Sequence, residues 1–302
     1  MNAVELQGLF FALMSGLFGA LFAQAYKMRI RLGFRPLPLI VAFAVWYCVL
    51  SVVLASVLKA WRYSLPLLVL GVAFGFLFLA AIYLYMRVSE KARLNISWTI
   101  IQASVVLPFG LSIIFFGERP NLRSWAGIAL VGGALFIFAL AKWREAAQVD
   151  TADGEILLML SISSVFTGMN MFIPKVLNHV HPGGTIFSML PYTAGAMLAT
   201  AMVAVSIPSA RERAAVVLGS SKGTVLFLFA GYMVVASSTA MVFVYYSLKS
   251  LAGSIVYPVR NVFCVLIVTF LSAVLFRERA SRLELLGVGV SLCGIALISA
   301  AL

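Results

Sequence analysis

The sequence predicts an all-α integral membrane fold, ten transmembrane helices arranged as two inverted five-helix repeats, and three observations carry that prediction. Of 302 residues, 63% are hydrophobic and only 11% charged, with a mean hydropathy of +1.07, well outside the range of water-soluble domains. Apolar stretches of about 20 residues, the length a helix needs to cross a hydrocarbon core, follow one another between short polar breaks. The second half of the chain also repeats the first at a fixed offset.

Ten stretches meet the length criterion. The first, 6–26, follows MNAVEL, which has no basic leader segment and carries Glu5, so it reads as a retained helix and not a cleaved signal. The second, 38–58, starts behind the prolines of RPLPL, and the third covers 65–86. The fourth, 94–116, stops at the GERP turn, and the fifth runs from 125 to 141. The sixth is 156–176. A turn at Pro182-Gly183-Gly184 leads into the seventh, 185–207. The last three are 224–248, 252–276 and 283–302.

The formal charge of +12 would suggest nucleic acid as the partner of a soluble protein, but the basic residues lie in the connections between apolar stretches, so the implied partner is a lipid bilayer. Alternate connections, beginning with the first, hold fifteen of the Lys and Arg residues and the other set holds six. By the positive-inside rule the first set faces the cytoplasm and both termini lie outside. Cys48, Cys264 and Cys293 fall singly in three different stretches, so no metal or redox spacing exists. His179 and His181 in NHVHPGG lack an acidic or thiol third ligand, and no metal or cofactor is implied.

The repeat is explicit at an offset of 160, where FFGERPNLRSWAG (115–127) falls on LFRERASRLELLG (275–287). Phe116, Glu118, Arg119 and Gly127 then match Phe276, Glu278, Arg279 and Gly287, and Tyr85 and Ala92 match Tyr245 and Ala252. An offset of 148 lays FGALFAQAYK (18–27) on FTGMNMFIPK (166–175), pairing Phe18 with Phe166 and Lys27 with Lys175. The repeat units are 1–145 and 155–302. Five helices per unit is an odd number, so the second copy enters the membrane from the opposite side.

The ten-helix plan, the repeated GER or RER turn, the glycine after each turn and the lysines closing helices 1 and 6 resemble the drug/metabolite transporter superfamily, specifically its EamA-type branch. That resemblance covers essentially the whole chain. It implies a multi-pass protein of the cell (inner) membrane that exports a small-molecule substrate by alternating access. It also implies a central cavity bounded by helices 3, 4, 8 and 9 with parts of 1, 2, 6 and 7, and helices 5 and 10 at the periphery, often at a homodimer or lipid boundary. Many ten-helix relatives keep both termini in the cytoplasm, against the charge count here.

Chemistry at membrane depth is sparse, which makes each polar group informative. All ten acidic residues lie in connections or at helix ends, so no deep carboxylate exists to bind a lipophilic cation or relay protons. Arg260, in IVYPVRNVF, is a deep cation, which costs roughly 2.5–3.5 kcal/mol to insert and is expected to face the protein interior or a wet cavity. A guanidinium matches a carboxylate or phosphate with two parallel hydrogen bonds, and Pro258 loosens helix 9 beside it. The structural alternative is an arginine bonded to interhelical carbonyls.

Around Arg260 the candidate substrate-binding set is Tyr257 and Asn261 on helix 9 and Asn95, Trp98 and Gln102 on one face of helix 4. Gln24 on helix 1, Asn170 on helix 6 and Tyr83, with Tyr85, on helix 3 complete it, and Tyr245 and Tyr246 on helix 8 are within the same group. Trp98 corresponds through the repeat to position 258, which places it level with Arg260. Each of these alone also suits interhelical hydrogen bonding. Pro258, Lys27, Lys175, Glu118 and Glu278 are candidates for gating or structural roles, Glu118 and Glu278 most simply as carboxylates beside the start of the following helix.

A secondary transporter of small organic metabolites bearing a carboxylate or phosphate is the function expected from this set, amino acids among them. Polyspecific drug export and flipping of a lipid-linked substrate are alternatives within the same class. An integral membrane enzyme fits least, since the stretches lack acids, histidines and clustered cysteines, and no GxxxxGK loop points to ATP.

Overall fold

The computed structural model describes residues 2–91, 101, 104–146, 154–182, 184–206, 221–276 and 281–300. Among them are ten α-helices and one 3-10 turn. The helices are α1 (Ala3–Leu32), α2 (Pro36–Val57), α3 (Leu65–Lys91), α4 (Val106–Phe116), α5 (Leu122–Ala146), α6 (Gly154–Val180), α7 (Leu190–Ser206), α8 (Ser221–Ser250), α9 (Gly253–Phe276) and α10 (Arg282–Ser299). Six of them, α1, α2, α3, α6, α8 and α9, are long and apolar enough to cross a membrane, as in a multi-pass membrane protein. Shorter apolar helical stretches lie in α4, α5, α7 and α10.

Local chemistry sets the ends. Asn2 caps α1 with a reciprocal box, its Oδ1 accepting from the Glu5 N–H at 2.9 Å while Glu5 Oε2 accepts from the Asn2 N–H at 2.7 Å. The helix then runs on to Leu32, past the predicted end at 26, and stops where Gly33 turns left-handed at φ 69°. α2 starts on Pro36, which needs no intrahelical donor there. The 3-10 turn Ile186–Ser188 precedes α7, so that helix begins later than the predicted 185. Within the predicted 94–116 stretch, helix is described at Ile101 and over Val106–Phe116. Asn95, Trp98 and Gln102, and likewise Glu278, lie outside the described residues.

The most extensive helix pairings have a simple pattern. α1 packs on α8 and α9, and α6 packs on α3 and α4. α2 packs on α7 and α8, α7 also packs on α3, α4 meets α9, and α5 meets α10. Replacing each helix by the one five places away maps this set of pairings onto itself. The α5–α10 contact is close because Gly127 and Gly294 face each other; a Cβ on Gly127 would sit 2.9 Å from the Gly294 carbonyl oxygen, so the two backbones touch.

Arg29 was expected in a loop and is instead in the last turns of α1, only 1% exposed. Its Nη1 donates to the Phe34 carbonyl at 3.0 Å, and its Nη2 donates to the Met86 carbonyl at 3.2 Å and to Ser89 Oγ at 3.1 Å. One cation therefore ties the α1–α2 connection to the last turns of α3, the negative end of that helix dipole. Three of the fifteen cations assigned to cytoplasmic connections, Lys27, Arg29 and Arg31, belong to α1.

Replacement of Arg29 by Met keeps much of the side-chain volume and removes every donor. We expect Arg29→Met to lower the apparent melting temperature in detergent, with a loss of about 3 kcal/mol, the scale of severing a buried charged hydrogen-bond network. A melting temperature equal to the wild type would show the network to be dispensable.

Candidate functional site

A cavity of about 120 Å3 opens between α1, α2, α3, α6, α8 and α9, and its two sides differ in chemistry. On one side stand Phe22 and Tyr26 of α1, Tyr47 of α2, and Phe74, Phe78 and Tyr85 of α3. These rings lock one another: Phe22 stacks on Phe78 at 6.0 Å between centroids, Phe74 stacks on Phe78 at 5.6 Å, and Tyr26 meets Tyr85 edge-on at 4.6 Å. Facing them are Thr167, Asn170 and Met171 of α6, Ser237 and Ser238 of α8, and Tyr257, Arg260 and Cys264 of α9.

Arg260 is held in this wall by α1. Its Nε donates to Ser15 Oγ at 2.9 Å, and the Ser15 hydroxyl donates in turn to the Ala240 carbonyl of α8 at 2.8 Å. Nη1 lies 3.8 Å from the thioether of Met171. α1 can approach this closely because Gly16 has no side chain; a Cβ there would come within 2.7 Å of the Arg260 carbonyl oxygen. Among the described residues no carboxylate pairs with Arg260. The guanidinium therefore stands on the cavity wall with its Nε fixed by Ser15.

The other expected residues divide. Tyr257 and Asn170 reach the wall, and Asn170 also donates through Nδ2 to the Phe74 carbonyl at 3.0 Å. Gln24 does not line this cavity: its Nε2 donates to the Val268 carbonyl at 3.0 Å and to Ser272 Oγ at 3.3 Å, joining α1 to α9. Asn261 is fully buried and also off this wall. Tyr83 is 37% exposed and points away, while Tyr85, two residues on and so about 200° around the helix, faces in. Tyr245 and Tyr246 lie at the end of the bundle, where Lys249 sits over both rings at 4.9 and 5.8 Å.

At that same end is a second polar site. Lys175 Nζ and Glu118 Oε1 form an ion pair at 2.7 Å, and the Glu118 carboxylate accepts the first N–H groups of α9, from Gly253 at 2.8 Å and Ser254 at 2.7 Å. Glu118 was expected to serve the start of the helix that follows it; it caps α9, 135 positions away in sequence. Burial by itself would raise the Glu118 carboxyl, but the Lys175 hydrogen bond, the Ser254 N–H, the Lys175 charge and the Gly253 N–H together hold it below its ordinary value. Lys27, its partner's counterpart in the repeat, donates to Ser272 Oγ at 2.8 Å.

Ser15 was missed from sequence, because a lone serine in an apolar stretch carries no signal of the charge it will hold. The six-ring wall was also missed apart from Tyr85, since aromatic residues in such stretches read equally as lipid-facing. Pro174 of α6 reaches the cavity wall, as its sequence neighbourhood around Lys175 did not indicate.

No family model matches this chain, and no curated protein matches it. Solved structures do match, 28 chains in number. One of them, described only as "Crystal structure of protein", aligns with a TM-score of 0.69 and 15% identity over 99% of this chain and 96% of its own. At that identity the likeness establishes a shared fold across the full length.

Because the Glu118 carboxyl is depressed in the folded state, its contribution is present above the ordinary carboxylate value and is lost as pH falls through the folded one. The melting temperature of the wild type should therefore exceed that of Glu118→Gln near neutral pH, and the gap should close as the medium is acidified through the ordinary carboxylate range and below it. A gap that widens toward acid would reverse the sign.

Proposed function

We propose that this chain is a secondary transporter of the ten-helix EamA type, exporting small organic metabolites that carry a carboxylate or phosphate by alternating access. The observation that carries this reading is Arg260 on the wall of an internal cavity, oriented by Ser15 and without a carboxylate beside it among the described residues. A substrate anion supplies the missing charge. One guanidinium balances a singly charged group best, and the ring-lined wall opposite suits an apolar body. The self-mapping helix pairings support two five-helix repeats as the frame for the motion, with all ten helices serving as spans.

Polyspecific drug export draws on a different observation, the adaptable Met171 and Met241 beside the six rings, which together fit many apolar shapes. The two readings part at Arg260.

A thermal-shift screen of purified protein against amino acids, carboxylates, sugar phosphates and cationic dyes separates them. A ligand confined to the folded state stabilises by about 2.7 kcal/mol at a hundred times its Kd. We expect anionic metabolites to raise the melting temperature of the wild type and to have no effect on Arg260→Ala. Equal shifts by dyes in both proteins would favour the polyspecific reading. Ser15→Ala keeps the charge but releases its orientation, and should weaken anion binding by about tenfold, or roughly 1.4 kcal/mol; unaltered affinity would remove Ser15 from the site.

A further inference from the structure

The Glu118 site joins three elements at one end of the bundle. Its carboxylate comes from the α4–α5 turn, its ammonium from α6, and its N–H donors from the first turn of α9. Lys175 also lies 5.5 Å above the ring of Phe116, and that ring meets His179 edge-on at 5.1 Å, so the ion pair sits on an apolar plug. The same first turn of α9 leads into the cavity. Tyr257, one turn on, is only 1% exposed and lines the wall, and Arg260 follows it.

Between clasp and cavity stands Pro258. It has no N–H to donate to the Ser254 carbonyl, so the first turn of α9 is held to the rest of its own helix by one hydrogen bond fewer. Glu118 accepts the Gly253 and Ser254 N–H groups of that turn, which have no partner within the helix, and so ties the turn to the α4–α5 connection. The pair is not sealed off, since Lys175 and Glu118 keep 15% and 10% of their side-chain surface exposed. Both charges can be rehydrated when separated, which a fully buried pair resists.

We propose that the Glu118–Lys175 clasp is a releasable latch that closes the cavity at this end of the bundle, with Pro258 as the hinge of the segment it holds. Release frees the first turn of α9 to swing from α4 and α6, and uncovers Tyr257 and the wall behind it. This rests on the transporter reading, which requires the cavity to open alternately, yet it is testable without any substrate.

Cys264 supplies the reporter, because it lies on the cavity wall beside Arg260; a Cβ on Gly19 would be 3.4 Å from Arg260 Nη2 and 3.6 Å from Cys264 Sγ. With Cys48→Ala and Cys293→Ala in place, the labelling rate of Cys264 by a membrane-impermeant thiol reagent is measured in right-side-out and in inverted vesicles. We expect Glu118→Gln and Lys175→Met to speed labelling from one side of the membrane by about tenfold, and Glu118→Asp to restore much of the slow rate. A charge-swapped protein, Glu118→Lys with Lys175→Glu, should stay fast, because an ammonium at the start of α9 opposes the helix dipole.

Unchanged labelling from both sides in inserted Glu118→Gln overturns the latch. Should that variant fail to fold, Lys175→Met decides, since it leaves the cap on α9 intact and removes only the ion pair; wild-type labelling there overturns the latch equally. Either result leaves the anion site at Arg260 standing or falling on its own ligand screen.

Discussion

A guanidinium placed among apolar helices must find acceptors within the protein, because hydrocarbon offers none. Arg260 meets that requirement through α1: Ser15 accepts from it and passes a hydrogen bond on to α8. Three helices are thereby fixed around one charge, and Gly16 brings their backbones close enough to do it. The position of the cavity follows, since it is the space left between that triple contact and the ring-bearing faces of α1, α2 and α3.

Charges elsewhere obey the same rule with different partners. Arg29 donates to the Met86 carbonyl and the Ser89 hydroxyl near the end of α3, and Glu118 accepts from amides at the start of α9. Cations gather at helix C-termini and a carboxylate at an N-terminus, as backbone dipoles dictate. Arg260 instead meets a single oxygen acceptor, Ser15, and the thioether of Met171.

Much of the fold was legible because a span through hydrocarbon admits few alternatives, and the stretches of 38–58 and 252–276 fall within two residues of α2 and α9. The extent of α1 was not, because Arg29 and Arg31 look like loop residues until α3 is known to supply acceptors for Arg29. Arg260 was legible from charge in an apolar stretch. The partner of Glu118 was not, as no local pattern links a turn to a helix that begins far along the chain. Which of Tyr83 and Tyr85 faces inward was not legible, since a helix buried on one side and lipid-facing on the other shows little contrast in hydropathy between them.

The glycines of α1 carry a mechanical consequence. Where Gly16 meets α9, its backbone rests against the Arg260 carbonyl with the Phe263 ring beside it, so a single added methyl would act as a wedge between two helices that Arg260 and Ser15 pin together.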